Sequence, residues 1–141
     1  MINSWCNAIG LLLLRVTFGT MMLAGHGLDK LLHFGSKAGS FPDPIGLGGP
    51  AALGMATFAE FFCSALLILG LATRVAAIPL VITMLIALAV VHGNDPWAKK
   101  ELAAAYLAAF TTILITGGGP FALDRIFGFR GLQKKEKAKS K

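Results

Sequence analysis

Four apolar stretches constrain this chain more than any other feature. They run approximately over residues 8–25, 51–72, 75–91 and 102–123. A helix that crosses the hydrocarbon core of a bilayer needs about 20 residues, so each stretch is close to one span, and the third is short. Of the 141 residues, 55% are hydrophobic and 14% charged, with a mean hydropathy of +0.71. Soluble domains carry roughly 25% charged residues. A chain this short cannot hide so much apolar surface in a water-facing fold, so lipid is the expected solvent. The expected architecture is an all-α, integral membrane four-helix up-down bundle over residues 1–124, followed by a basic tail over 125–141.

The connections refine this. GLATR joins the second and third stretches and is too short for anything but an antiparallel pair. The link between the first two, residues 31–50, contains FPDPIGLGGP, whose prolines and glycines interrupt a helix. Long irregular loops usually carry function, so this one is expected to cap the extracytoplasmic end of the bundle. GGGP at 117–120 should end the last regular helix near Thr116. The first stretch lacks a basic n-region and is split by Arg15, so it should remain as a span and not be cleaved as a signal peptide.

Orientation follows from Lys and Arg. Four spans put both termini on one side, with Arg15, Arg74 and seven basic residues from Arg125 onward; the other side holds Lys30, Lys37, Lys99 and Lys100. Nine against four places both termini in the cytoplasm. The tail RGLQKKEKAKSK carries six of the basic residues and one acid, which suits anionic lipid at the cytoplasmic face. It has no aromatic interleaving, so nucleic-acid binding is a poor reading. Cys6 and Cys63 belong to different depths and provide neither a disulfide framework nor a CxxC pair.

Ionisable groups inside apolar spans cost roughly 2.5–3.5 kcal/mol each at mid-helix, so they should face one another or a cavity. On the first helix Arg15, Gly19, Met22, His26 and Lys30 form one stripe at helical spacing. Thr57, Glu60 and Ser64 do so on the second, and Glu101, Ala105, Ala108 and Thr112 on the fourth. Each stripe is expected to point inward, where small residues let backbones approach. By depth, His26, Lys30, Glu60, His92 and Glu101 form an outer group, and Arg15, Arg74 and Asp124 an inner one. The inner group reads as a structural ion pair, Asp124 holding Arg74 or Arg15. The outer group reads either as a hydrogen-bonded network locking the helices or as a site that binds quinone carbonyls or relays a proton. No metal site is assigned, because no His-x-x-x-His or Glu-x-x-His spacing occurs. Trp97 and Trp5 suit aromatic anchors at the two headgroup levels.

The segments LLRVTFGTMMLAGHGLDKL, DPIGLG, FAEFFCSALLILGLATR, VHGNDPW and KELAAAYLAAFTTILITGGGPFALD, in this order and spacing, resemble the DoxX family of small four-span bacterial membrane proteins. The resemblance covers about Leu11 to Asp124. It implies the bacterial inner membrane and places family motifs on Arg15, His26, Lys30, Glu60, Arg74 and Asp124. Relatives often have a polar residue before the final Leu-Asp, where this chain has Ala122. The family is named for a subunit of a terminal quinol oxidase, and relatives are described in thiosulfate–quinone and oxidative-stress complexes.

Three functions follow as expectations. The first is a small subunit of a quinone-linked redox complex, with no intrinsic cofactor and a quinone or proton site at its outer end. The second is an accessory subunit whose alanine-rich fourth helix docks on a larger membrane complex, and the third is a small transporter or channel that self-associates. Lipid is the common partner of all three. Motifs of soluble enzymes, such as a nucleophile elbow, phosphate loop or dinucleotide fingerprint, are missing from the sequence.

Overall fold

The computed structural model describes residues 2–126, with side chains from Ser4 to Arg125. The basic tail lies outside the described residues from 127 onward. Four long helices carry the fold: α1 over residues 2–32, α2 over Gly49–Leu69, α3 over Thr73–Val91 and α4 over Trp97–Thr116. A single turn, Phe34–Lys37, follows α1, and another, Leu123–Ile126, closes the described chain. α1, α2 and α3 are long and apolar enough to cross a membrane. α4 has 20 residues but carries Lys99, Lys100 and Glu101 near its start. α1 packs on α2 and α4, and α3 packs on the same two helices.

α1 continues past Gly25, the expected end, through His26 to Leu32. The irregular part of the first link therefore shrinks from the expected 31–50 to 38–48. Neither Gly25 nor Gly27 breaks the helix, because the chain widens into a π-helical turn over Leu23–Gly27 and continues. There are two more π-helical segments: Phe58–Cys63 interrupts α2, and Ala87–Val91 ends α3. Such turns arise where one extra residue is accommodated, frequently at functional sites.

The turn between α2 and α3 is set by backbone chirality. Gly70 ends α2 at φ 75°, with its N–H and that of Leu71 both returning to Leu66 O at 2.9 Å. Ala72 follows at φ 45°, a left-handed conformation that a Cβ disfavours. Contacts from the chain's far end hold it there, as described below. In the first link, Asp43 accepts the N–H groups of Leu47 (2.9 Å) and Gly48 (2.7 Å), folding the loop back to the start of α2.

The core joins Met22 of α1, Cys63 and Leu67 of α2, Ala77 and Leu80 of α3, and Phe110 and Ile113 of α4. Tyr106 stacks on Phe110 and meets Phe18 edge-on. Outward-facing positions are equally apolar: Trp5, Leu13, Phe62, Val75, Ile78 and Ile115 are all exposed. Large apolar residues in that density on the outside of a helical protein require a hydrocarbon surround.

Candidate functional site

Two stripes read from the sequence meet at the α1–α2 interface. Arg15, Gly19 and Met22 are buried on α1, as are Thr57, Glu60 and Ser64 on α2. Glycine permits the contact. A Cβ on Gly27 would lie 2.5 Å from the backbone C and O of Glu60, and one on Gly19 would lie 2.8 Å from Ile68. With the backbones this close, Lys30, nearly one turn beyond Gly27, reaches across. Its Nζ donates to Glu60 Oε2 at 2.5 Å, and Glu60 is 5% exposed. This is the pairing that a buried carboxylate demands.

The pair borders a cavity of about 710 Å³. Its walls come from all four helices and from Phe41, Pro42, Pro44 and Ile45 of the first link. Most of the lining is apolar, with polar groups gathered on His26, Lys30, Glu60, Thr83, His92, Lys99 and Tyr106. Thr83 satisfies itself on the Pro79 carbonyl at 2.8 Å. His26 and Tyr106 do not. Their rings meet edge-on at 5.8 Å and 88°, yet neither the imidazole nitrogens nor the Tyr106 hydroxyl makes a hydrogen bond among the described residues. Lining residues from all three π-helical segments border this space, including His26, Phe58, Glu60 and Ala87.

His92, beside the cavity, is hydrogen-bonded through Nδ1 to Asp95 Oδ2 at 2.8 Å. That bond, with the charges of Lys99 and Lys100 nearby, holds the Asp95 carboxyl below its usual range. Asp29, His33 and Lys37 make a separate exposed cluster on α1 and the turn after it, with His33 Nδ1 3.0 Å from Asp29 Oδ1. No group of three His, Cys, Asp or Glu side chains among the described residues gathers closely enough to hold a metal ion.

A family model described as DoxX matches residues 10–93, more than half of the chain. The chain belongs to the DoxX family. No curated protein and no solved structure matches it. The matched region contains Arg15, His26, Lys30, Glu60, Arg74 and His92, whereas Tyr106 and Asp124 lie beyond it.

Of the outer residues expected to converge in this DoxX protein, His26, Lys30, Glu60 and His92 border the cavity. Glu101 does not: it is exposed, as are Ala105, Ala108 and Thr112, so the whole fourth-helix stripe faces outward. The reason is bulk. Tyr106, Ala109, Phe110 and Ile113 form a heavier apolar face that α4 buries instead. Thr112 has no need of an interior partner, since its hydroxyl donates to Ala108 O at 2.8 Å.

The inner group is also arranged differently from the expectation. Asp124 forms no ion pair within 4.0 Å with Arg15 or Arg74. Its oxygens accept the N–H of Ala72 (2.6 Å), the N–H of Thr73 (2.9 Å) and the Thr73 hydroxyl (3.0 Å), capping α3 from a distant part of the chain. Its own N–H donates to Gly70 O at 2.9 Å, which fixes the strained turn. Arg15, 2% exposed, donates instead to the carbonyls of Gly118 (2.8 Å) and Phe121 (3.2 Å). Arg74 donates to Ile115 O at 3.0 Å. The GGGP segment leaves carbonyls without helical donors, and the arginines supply them. Ala122 is 2% exposed and packed close to Gly70 and Gly118, so a methyl group fills this position.

Tyr106 escaped the sequence reading because it belongs to none of the polar stripes. Its signal is that it is the only tyrosine, set in an alanine-rich run between the charged start of α4 and its threonines. Lys99 was used only to count charges.

Proposed function

We propose that this DoxX protein is a redox-complex subunit whose outer cavity binds a quinone-type ligand: an apolar molecule with a head that accepts and donates hydrogen bonds. The four helices are read as an up-down bundle in the bacterial inner membrane, with both termini cytoplasmic and the first link capping the cavity. One observation carries the ligand reading. The cavity's apolar walls end at His26 and Tyr106, whose polar atoms have no partner among the described residues, directly beside the Lys30–Glu60 pair. The buried side-chain polar atoms without a partner among the described residues are Arg15 Nε and Ser64 Oγ, so the His26 and Tyr106 polar atoms open onto the cavity, whose volume of about 710 Å³ suits a small ligand.

In this reading the residues present fit a quinone head. The His26 imidazole and the Tyr106 hydroxyl hydrogen-bond its oxygens, and Lys30 holds Glu60 next to them. Glu60 uses only Oε2 in its bond to Lys30, so Oε1 is available to take or give a proton at the head. The apolar walls exclude water, which strengthens each of these bonds. A bound quinone would supply the electron chemistry, with its reductant and oxidant provided by partner subunits. Purification in mild detergent, followed by solvent extraction and mass spectrometry, tests the reading. A quinone should copurify with the wild-type protein and be depleted in His26→Ala and Tyr106→Phe. Its absence from wild-type protein extracted under conditions that preserve membrane quinones would end this reading.

An accessory role is the second reading, and the outward stripe of α4 favours it. Ala105, Ala108 and Thr112 present a small, smooth exposed face, the kind of surface that lets another helix approach closely in lipid. Ala108→Leu should then release a copurifying membrane subunit while leaving the isolated protein folded.

A further inference from the structure

We infer that the cavity is loaded sideways, through an apolar window between α2 and α3, and that its ligand carries a long hydrocarbon tail that remains in this window. The inference rests on the ligand reading above and adds the route and the class of tail.

Where a cavity is lined by residues that are themselves half exposed, it meets the surroundings there. Four such residues stand on two facing edges. Met55 and Phe58 of α2 are 53% and 54% exposed, Ile82 of α3 is 49% exposed, and Ile86, one turn on, is partly exposed; all line the cavity. Met55 and Phe58 are one turn apart on one side of α2, as are Ile82 and Ile86 on α3. The two helices are held together at Gly70–Thr73, at the opposite end from the first link. On the other side of α3, Ala76, Ala77, Leu80 and Met84 are buried in the core. The half-exposed lining residues there, Val91 and Leu102, stand beside His92 and Lys99, so that opening is bordered by polar groups and the α2–α3 window is not.

The two ends of the cavity differ chemically. The window is formed by aliphatic, thioether and phenyl groups, with no hydrogen-bonding side chain among its four residues. The other end holds His26, Tyr106 and the ion pair. A hydrocarbon tail in the window exchanges lipid contact for protein contact at little cost, while the head fills hydrogen bonds that lipid cannot offer. A ligand made only of a polar head gains nothing from the window. Phe41, Pro42, Pro44 and Ile45 line the cavity from the first link, and Pro residues stiffen that link. The cavity also meets the surroundings at this link, where Ile45 is 46% exposed, but the apolar edges of two membrane-length helices face each other only at the window, and the tail is assigned there.

The experiment compares two probes on protein reconstituted in lipid nanodiscs: a benzoquinone with a tail of several isoprene units, and the same ring without the tail. Ile82→Trp and Met55→Trp each put an indole into the window at exposed positions, where folding does not depend on the native side chain. Both variants should bind the tailed quinone at least tenfold more weakly than wild type and the tailless ring within about twofold of it. In parallel, a tailed probe with a diazirine at the tail's end should label Met55, Phe58, Ile82 or Ile86 in wild-type protein. Equal binding of the tailed quinone by wild type and both variants, or labelling confined to other faces, overturns the lateral route while leaving the ligand reading standing. Failure of wild-type protein to bind either quinone overturns the ligand reading itself.

Discussion

Lys30 Nζ lies 2.5 Å from Glu60 Oε2, joining α1 to α2 by the only ion pair among the described residues whose two side chains are both largely buried. An ion pair in a low-dielectric setting adds little compared with an apolar pair of the same shape, but breaking it strands a charge. Lys30→Met should therefore lower stability by about 3–5 kcal/mol, and the double variant Lys30→Met with Glu60→Gln should recover most of that loss. Thermal unfolding in one detergent, run on the two variants and the wild type, checks this. A double variant as unstable as the single one would show that the two residues do not act as a pair.

Two glycines two residues apart on α1 should respond oppositely to the same change. A Cβ at Gly27 collides with the Glu60 backbone, whereas a Cβ at Gly25 meets nothing within 4 Å. Gly27→Ala must push α1 from α2, an overpacking cost of about 1–3 kcal/mol, and should loosen ligand binding because the Lys30–Glu60 bond lengthens. Gly25→Ala fills empty space in a helix and should be neutral or stabilising by up to about 1 kcal/mol. Loss of stability at both positions would mean that the helix crossing is misplaced.

The inner clamp separates capping from charge pairing. Asp124 caps the N-terminus of α3 with both carboxylate oxygens. Asparagine has only one acceptor oxygen, so Asp124→Asn should keep part of the stability, through the Thr73 contacts, that Asp124→Ala loses entirely, a loss of about 1–2 kcal/mol. If Asp124 worked mainly by neutralising Arg15 or Arg74, Asn and Ala would be equally harmful, and unfolding midpoints for the two variants decide between these accounts.

Arg15 works by geometry as much as by charge. Its guanidinium reaches the carbonyls of Gly118 and Phe121 together, which a single ammonium cannot do with the same fork. Arg15→Lys should keep the protein in the membrane yet free the segment after α4, measured as faster protease cleavage or hydrogen exchange around residues 117–124. Unchanged protection there would remove Arg15 from the clamp.

These cases show which parts of the molecule can be read from its sequence. The stripes on α1 and α2 were legible because each contains a group too polar for lipid, and the cost of solvating Arg15, Lys30 or Glu60 in hydrocarbon leaves only the interior. Asp124 was legible as important but not in its role, since capping depends on where a turn fifty residues away comes to lie. The π-helical segments left no pattern, because an extra residue in a turn shifts the spacing only locally. On α4 the same logic that succeeded for charged groups failed, because alanine and threonine are tolerated on either side of a membrane helix.

That failure gives the sharpest test of how α4 is turned. The inward face expected from small-residue spacing holds Ala105 and Ala108; the face actually buried holds Tyr106, Ala109, Phe110 and Ile113. Ala109 is 5% exposed and Ala108 is exposed. Adding three carbons at Ala109 forces an already filled core apart, at a cost of about 1–3 kcal/mol or more, and should disturb Tyr106, its neighbour on the same face. Ala108→Leu meets only lipid and should leave the unfolding temperature unchanged or slightly raised. Measured on the isolated protein, Ala109→Leu must be the more destabilising of the two. The reverse order would rotate α4 by about one residue, take Tyr106 out of the cavity, and remove the hydroxyl on which the proposed head-group contact depends.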